Sequence, residues 1–211
     1  MEGFSQAAQW NVEGEAAAPD RTMAEAAAAD QELLRQLARG NEGAFRTLYE
    51  RYQGRLYRYA LHMSGNPATA EETTQELFML LIKGSESFDP EKGSVAGYLF
   101  GMARNITRRS MNGVSSEVAL DDDDDRDEFA LAGDLEILEE LSQADLLETL
   151  RKAVVGLPEQ YREAVVLCDL EEHTYDQAAE VMGCSPGTVA SRLNRARALL
   201  KKKLSYQKCV K

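Results

Sequence analysis

The sequence predicts an all-α protein: two small helical domains joined by an acidic flexible linker. Three observations carry that prediction. Apolar residues recur at three- and four-residue spacing through most of the 211 positions, and no stretch of convincing length alternates as a strand would. Glycine and proline fall between these periodic runs, where helices must stop. The composition, 44% hydrophobic and 28% charged but only 7% aromatic, suits Ala-, Leu-, Glu- and Arg-rich helices and excludes collagen-like, mucin-like and disulfide-scaffold classes.

Residues 1–29 are rich in Ala, Glu and Gln, carry Ala26-Ala27-Ala28-Ala29, and have no apolar periodicity, so a disordered or fraying helical tail is expected. Helical spacing begins after Asp30. Leu33, Leu34 and Leu37 are followed by Phe45, Leu48, Tyr49, Tyr52, Leu56, Tyr59 and Ala60, which gives two helices parted by Gly40-Asn41-Glu42-Gly43. Gly65-Asn66-Pro67 breaks the second, and a third runs over 70–82 with Leu77, Leu80 and Leu81 on one side. Residues 83–94 hold Gly84, Pro90 and Gly93 and read as a loop. A fourth helix over 95–111 is apolar at Val95, Leu99, Met102 and Ile106 and basic late in its length. No core forms around Asp121-Asp122-Asp123-Asp124-Asp125 without burying unpaired charge, so the segment after Asn112-Gly113 is a boundary. Periodicity returns from Leu135 through Leu146, Leu147, Leu150, Val154 and Val155, stops at Gly156-Leu157-Pro158, and restarts through Tyr161, Ala164, Val165 and Cys168. The expected division is a tail at 1–29, a domain at 30–113, a linker at 114–133 and a second domain at 134–211.

The net charge of −12 is segregated along this division. From Pro186 onward there are eight basic residues and no acid, whereas residues 117–148 carry fourteen acids against the single base Arg126. That pattern suits an anion-binding end and an acidic tether. The apolar run Leu77-Phe78-Met79-Leu80-Leu81-Ile82 is far too short to span a bilayer, and residues 1–20 lack a basic start followed by an apolar core. Neither secretion nor membrane insertion is expected. Cys168, Cys184 and Cys209 form no CxxC pattern, which fits a reducing cytoplasm. Cys168 and His173 amount to half a metal site at most, and Cys168 lies in an apolar helical run, so no metal and no cofactor is expected.

The most informative stretch is 174–203. Thr174 and Gln177 are spaced as a capping box, and Tyr175, Ala178, Ala179 and Met182 share a face of a short helix. Gly183 suits a left-handed stop, Ser185 an N-cap and Pro186 a first helical turn. Helix, tight turn, helix is the result. On the second helix Val189, Leu193, Ala196 and Leu200 point inward, while Thr188, Ser191, Arg192 and Arg195 gather hydrogen-bonding groups on the other side. A helix-turn-helix presents such a face to base edges in the major groove, where Arg192 is placed for a bidentate guanine contact. A helical hairpin with a solvated basic face is the plainer alternative.

Three C-terminal segments, Leu157-Pro158-Glu159-Gln160-Tyr161-Arg162-Glu163, Thr174-Tyr175-Asp176-Gln177-Ala178-Ala179-Glu180 and the run from Gly187-Thr188-Val189 to Arg195-Ala196-Arg197, resemble region 4 of bacterial extracytoplasmic-function (ECF) sigma factors. Ala44-Phe45 through Leu48-Tyr49, Ala70-Glu71-Glu72 through Gln75-Glu76-Leu77-Phe78, and Tyr98-Leu99-Phe100-Gly101-Met102-Ala103-Arg104-Asn105 are similar to region 2 of the same family. The two halves occur in the family's order, over roughly four-fifths of the chain. Two departures from the pattern stand out: Thr73 and Thr74 stand where bulky apolar residues are usual, and Tyr98 where Trp is usual.

The resemblance implies a non-enzymatic subunit of RNA polymerase that recognises promoters, with the polymerase core and promoter DNA as partners. Many family members are also sequestered by an anti-sigma factor. It implies a polymerase contact at Glu71, Glu72, Gln75 and Glu76, and minus-35 duplex contacts at Ser185, Gly187, Thr188, Ser191, Arg192 and Arg195. The melted minus-10 strand falls to Phe88, Tyr98, Arg104, Asn105, Arg108 and Arg109, a set of rings and basic groups of the kind that holds unstacked bases. The loop at 89–94 is the family's candidate for a flipped base. A free-standing helix-turn-helix regulator with a helical sensing or dimerisation domain is the competing reading. A helical enzyme has little support, since His62 and His173 are the only histidines and no nucleophile, metalloprotease or phosphate-loop motif occurs.

Overall fold

A computed structural model describes residues 21–84, 88–91, 93–112 and 143–206. Among these residues every regular element is a helix: α1 (Arg21–Ala38), α2 (Glu42–Ser64), α3 (Pro67–Gly84), α4 (Val95–Asn112), α5 (Gln143–Val155), α6 (Glu159–Val165), α7 (Tyr175–Met182) and α8 (Pro186–Tyr206). A π-turn, Val166–Leu170, continues α6. The expected linker at 114–133 and the periodic run opening at Leu135 lie outside the described residues, up to the start of α5.

Helix α1 begins at Arg21, within the expected tail at 1–29. Alanine has the highest helix propensity, so Ala26 to Ala29 extend a helix they do not need to pack. Asp30 then anchors it: its carboxylate is buried and accepts hydrogen bonds from the Tyr52 hydroxyl and the Arg51 guanidinium on α2. The next two breaks behave as their residues dictate. Asn41 caps α2, its side-chain oxygen accepting from the Ala44 N–H at 3.2 Å. Gly65 closes the helix in the left-handed region at φ 70°, its N–H reaching the Leu61 carbonyl at 2.8 Å.

Helix α2 packs against α1, α3 and α4 through Leu48, Leu56 and Tyr59, all fully buried. On α3 the buried stripe is Ala70, Thr73, Leu77, Phe78 and Leu81. Leu80, expected on that stripe, is 41% exposed, because at 100° per residue it falls at the stripe's flank, about 60° round from Leu77. Thr73 takes an apolar position; its hydroxyl lies 3.5 Å from that of Thr107 on α4. Phe100 is a core aromatic with no exposure, edge-on to Tyr59 at 5.5 Å.

The C-terminal helices do not stand apart from this bundle. Helices α5, α6 and the π-turn pack on α2, and α7 packs on α4, so one buried cluster runs through both halves. Gly65 marks how close they come: a Cβ there would lie 2.9 Å from Val155 Cγ1 on α5.

Candidate nucleic-acid interface

Local sequence builds the α7–α8 pair. The Thr174 hydroxyl accepts from the Gln177 N–H at 3.3 Å while the Gln177 side chain accepts from the Thr174 N–H at 2.9 Å, a complete capping box. Gly183 ends α7 at φ 66°. Ser185 then caps α8, accepting from the Thr188 N–H at 3.1 Å. Val189, Leu193 and Ala196 are fully buried against α6 and α7, which fixes the rotation of α8. The opposite side therefore faces outward. Ser185, Gly187, Ser191 and Arg195 are exposed, Thr188 and Arg192 half-exposed. Ser185 and Thr188 bond through their hydroxyls at 2.9 Å, and Arg195 donates to the Tyr161 hydroxyl at 3.3 Å, so these groups are oriented before any ligand arrives. Arg197 is turned back to Asp169 in a two-point contact at 3.1 and 2.6 Å.

The residues expected to take the melted strand divide between two faces of α4 and the loop before it. Phe88 and Tyr98 pack ring against ring, centroids 5.4 Å apart, both partly buried on the core. Arg104 and Arg108 point to the C-terminal half: Arg104 Nε donates to Glu163 at 2.6 Å and Arg108 to Glu159. Asn105 and Arg109 are exposed on the adjoining face, where Arg109 donates to Glu76 of α3. Glu71, Glu72 and Gln75 are exposed and Glu76 half-exposed, so the four polar groups on α3 share an outward side with Met79, Leu80 and Ile82, which are 58, 41 and 55% exposed. Those three apolar groups were not singled out as contacts from sequence. Their run of six apolar residues is longer than one buried stripe needs, and that excess was the available signal.

Sequence reasoning also missed the junction between the halves. Arg55 and Arg58 on α2 both donate to the Glu171 carboxylate, at 3.2 and 3.1 Å, and Arg55 reaches the Glu171 carbonyl at 2.7 Å. Glu180 on α7 accepts from the Ser94 N–H at 3.1 Å, at the start of α4. The Tyr59 hydroxyl donates to Glu163 at 3.2 Å. Burial pushes the Glu163 carboxyl above its usual range, a shift that Arg104 opposes and does not cancel. Burial pushes His173, edge-on to Phe100 at 4.4 Å, down to about 4, with Arg55 adding to the effect. Cys168 is pushed up to about 11, chiefly by burial. Among the described residues no group of His, Cys, Asp and Glu is arranged to hold a metal, and no helix is long and apolar enough to cross a membrane.

A helix-turn-helix and a four-helix bundle on one chain match two family models, "Sigma-70 region 2" over residues 48–113 and "Sigma-70, region 4" over residues 147–200. The chain is 33% identical over 158 residues to the ECF RNA polymerase sigma factor SigE of Mycolicibacterium smegmatis, an alignment covering 73% of this chain and 59% of that protein. With the ECF RNA polymerase sigma factor SigK of Mycobacterium sp. strain KMS it shares 30% identity over 165 residues, covering 76% of this chain and 83% of the relative. Its fold is similar to the sigma factor RpoE of Bartonella quintana, solved in complex with the anti-sigma factor NepR, at a TM-score of 0.57 and 25% identity over 76% of this chain and 96% of that one. The paired region 2 and region 4 matches, in this order and with these relatives, show that the chain belongs to the ECF group of sigma-70-family RNA polymerase sigma factors.

Proposed function

We propose that the chain directs core RNA polymerase to promoters and helps open them, with each half handling a different form of DNA. Residues 30–113 act as region 2, 114–133 as the linker and 134–211 as region 4. Helix α8 reads the minus-35 duplex through Ser185, Gly187, Thr188, Ser191, Arg192 and Arg195. Phe88, Tyr98, Arg104, Asn105, Arg108 and Arg109 hold the melted minus-10 strand. Glu71, Glu72, Gln75 and Glu76 meet polymerase on the outer face of α3, with Met79 and Ile82 supplying apolar contact. The protein works in the cytoplasm, without enzymatic activity of its own, and an anti-sigma protein is a further partner, as for the Bartonella relative.

The observation that carries this reading is the outward donor face of α8, held by a capped turn on a chain that also matches region 2. Its test is transcription in vitro with core polymerase on a genomic fragment pool. Arg192→Ala with Arg195→Ala is expected to reduce initiation at least tenfold, since one good bidentate contact contributes about 1–3 kcal/mol of discrimination. Co-elution with polymerase on gel filtration should be retained. Initiation unchanged by both substitutions would remove α8 from promoter recognition, and a homodimer that ignores polymerase would favour a free-standing regulator.

A further inference from the structure

We infer that Asn194 is a base-reading residue of α8 and selects adenine: its side-chain amide donates to N7, and its side-chain oxygen accepts from the N6 amine, of one adenine in the major groove of the minus-35 duplex. This rests on α8 as the duplex-reading helix, and it goes further in adding a residue to that face and in naming the base it takes.

The buried residues Val189, Leu193 and Ala196 set the rotation of α8. At about 100° per residue, the line opposite them runs between Gly187 and Ser191; Asn194 lies about 50° to one side of it and Arg195 about 50° to the other. Arg192 lies further round on the Arg195 side. Guanidinium groups therefore hold one edge of the outward face, and the Asn194 carboxamide, which is exposed, holds the other. Its neighbours on the face are already engaged. The Ser191 hydroxyl donates to the Thr188 carbonyl at 2.9 Å, Ser185 and Thr188 bond to each other, and Arg195 donates to Tyr161. The Asn194 side chain has no hydrogen-bond partner among the described residues, so its donor and its acceptor are both available.

A carboxamide carries a donor and an acceptor side by side, and adenine is the base whose major-groove edge offers the matching pair. Whether so short a side chain can use it is a question of reach. Ala190, Ser191 and Ala198, its neighbours one helical turn away, are all shorter than Asn194, and Arg197 is turned aside to Asp169. Gly187 keeps the first turn equally low. A Cβ there would meet nothing nearer than Ser185 Oγ at 3.8 Å, so packing does not demand glycine, and its effect is to let the helix approach the groove floor. From Gly187 to Asn194 the helix advances about 10 Å, or roughly three base-pair steps, so Asn194 meets a different base pair from the first turn.

The test is a binding selection with the full chain on core polymerase, from promoter duplexes randomised over the minus-35 element and read by sequencing. The wild-type chain is expected to enrich adenine at one position where Asn194→Ala loses about tenfold of that preference, the other positions keeping theirs. Because Asn194 is exposed, the substitution leaves the core untouched. A duplex carrying 7-deazaadenine at that position lacks only the N7 acceptor; it is expected to bind the wild-type chain more weakly than the adenine duplex and to bind Asn194→Ala equally well. Arg192→Ala with Arg195→Ala serves as the comparison. Preferences unchanged by Asn194→Ala but altered by the arginine pair would overturn the reading by Asn194 and leave α8 in place. Preferences unchanged by either variant would overturn both. Enrichment of another base at the position that depends on Asn194 would overturn the choice of adenine, and uniform weakening with unchanged preferences would overturn a base contact.

Discussion

His173 couples the packing of the two halves to pH. Its ring is buried against Phe100 of α4, beside Arg55 of α2, and both lie across the junction from it. Arg58 and Glu171 are the other charged groups nearby. Its pKa falls from 6.5 to about 4 on burial, so above pH 6.5 the ring is neutral in every state and the group favours none. Below 6.5 the exposed ring takes a proton that the buried one refuses, and stability is lost progressively until about pH 4. The difference amounts to about 2 kcal/mol at pH 5. Glu163 acts in the opposite sense: its raised carboxyl weakens the fold as pH climbs through the range just above 4.5, so acid relieves it. His173→Phe isolates the first effect by keeping a ring against Phe100 without a titrating nitrogen. Denaturant midpoints at pH 7 and pH 5 should show wild type losing about 2 kcal/mol more than the variant. Equal losses would mean that His173 is not held neutral. Two glycines give a second comparison at this scale. Gly183→Ala meets open space at φ 66° and costs only left-handed strain, about 1 kcal/mol. Gly65→Ala adds a 2.9 Å approach to Val155 at φ 70°, so it is expected to cost more in the same denaturation experiment.

Each helix keeps the order its residues impose, and its outer face is where function is written. On α3, Met79 and Ile82 are exposed next to Glu72 and Gln75, an apolar patch rimmed by polar groups. Met79→Ser with Ile82→Ser should leave the denaturation midpoint within about 0.5 kcal/mol of wild type, as exposed substitutions usually do, while weakening co-elution with core polymerase. Unchanged co-elution would move the polymerase contact off this face. Thr174→Ala removes half the capping box of α7 and is expected to cost about 1 kcal/mol, with loss of promoter binding exceeding the loss of fold. The helix-turn-helix was legible beforehand because caps, stop glycine and inward stripe are all local: Thr174, Gln177, Gly183, Ser185 and Val189 each declare their role within four residues. The π-turn at Val166–Leu170 was not, since apolar spacing runs through it unbroken to Cys168. The early start of α1 was hidden for a different reason: Ala26 to Ala29 are good helix formers that leave no apolar period to detect. The junction lay furthest from view, because Arg104 finds Glu163 and Arg55 finds Glu171 across gaps of 59 and 116 positions that no local pattern spans.

At the scale of the whole molecule, charge decides how the free protein meets DNA. Eight bases and no acid lie from Pro186 to the end, yet the chain carries −12 overall and five adjacent aspartates at 121–125. Phosphate contacts dominate affinity for duplex DNA, and a protein that is acidic overall both repels the duplex and supplies competing carboxylates to its basic C-terminal helix. Those carboxylates share the chain with α8, so their effective concentration is high whatever the protein concentration. Screening at physiological salt acts over about 8 Å, which leaves such short-range competition largely intact. Replacing Asp121 to Asp125 with five serines preserves length and removes five negative charges. If the tract competes for α8, the free variant binds duplex promoter DNA more tightly than wild type at low salt. The gain should shrink as salt is raised, because both competitor and target are then screened. Fluorescence anisotropy over a salt series measures this directly. Equal affinities at every salt concentration would leave the tract as a spacer, and a tight, salt-resistant complex formed by the wild-type chain alone would show that the acidic charge does not restrain α8 at all.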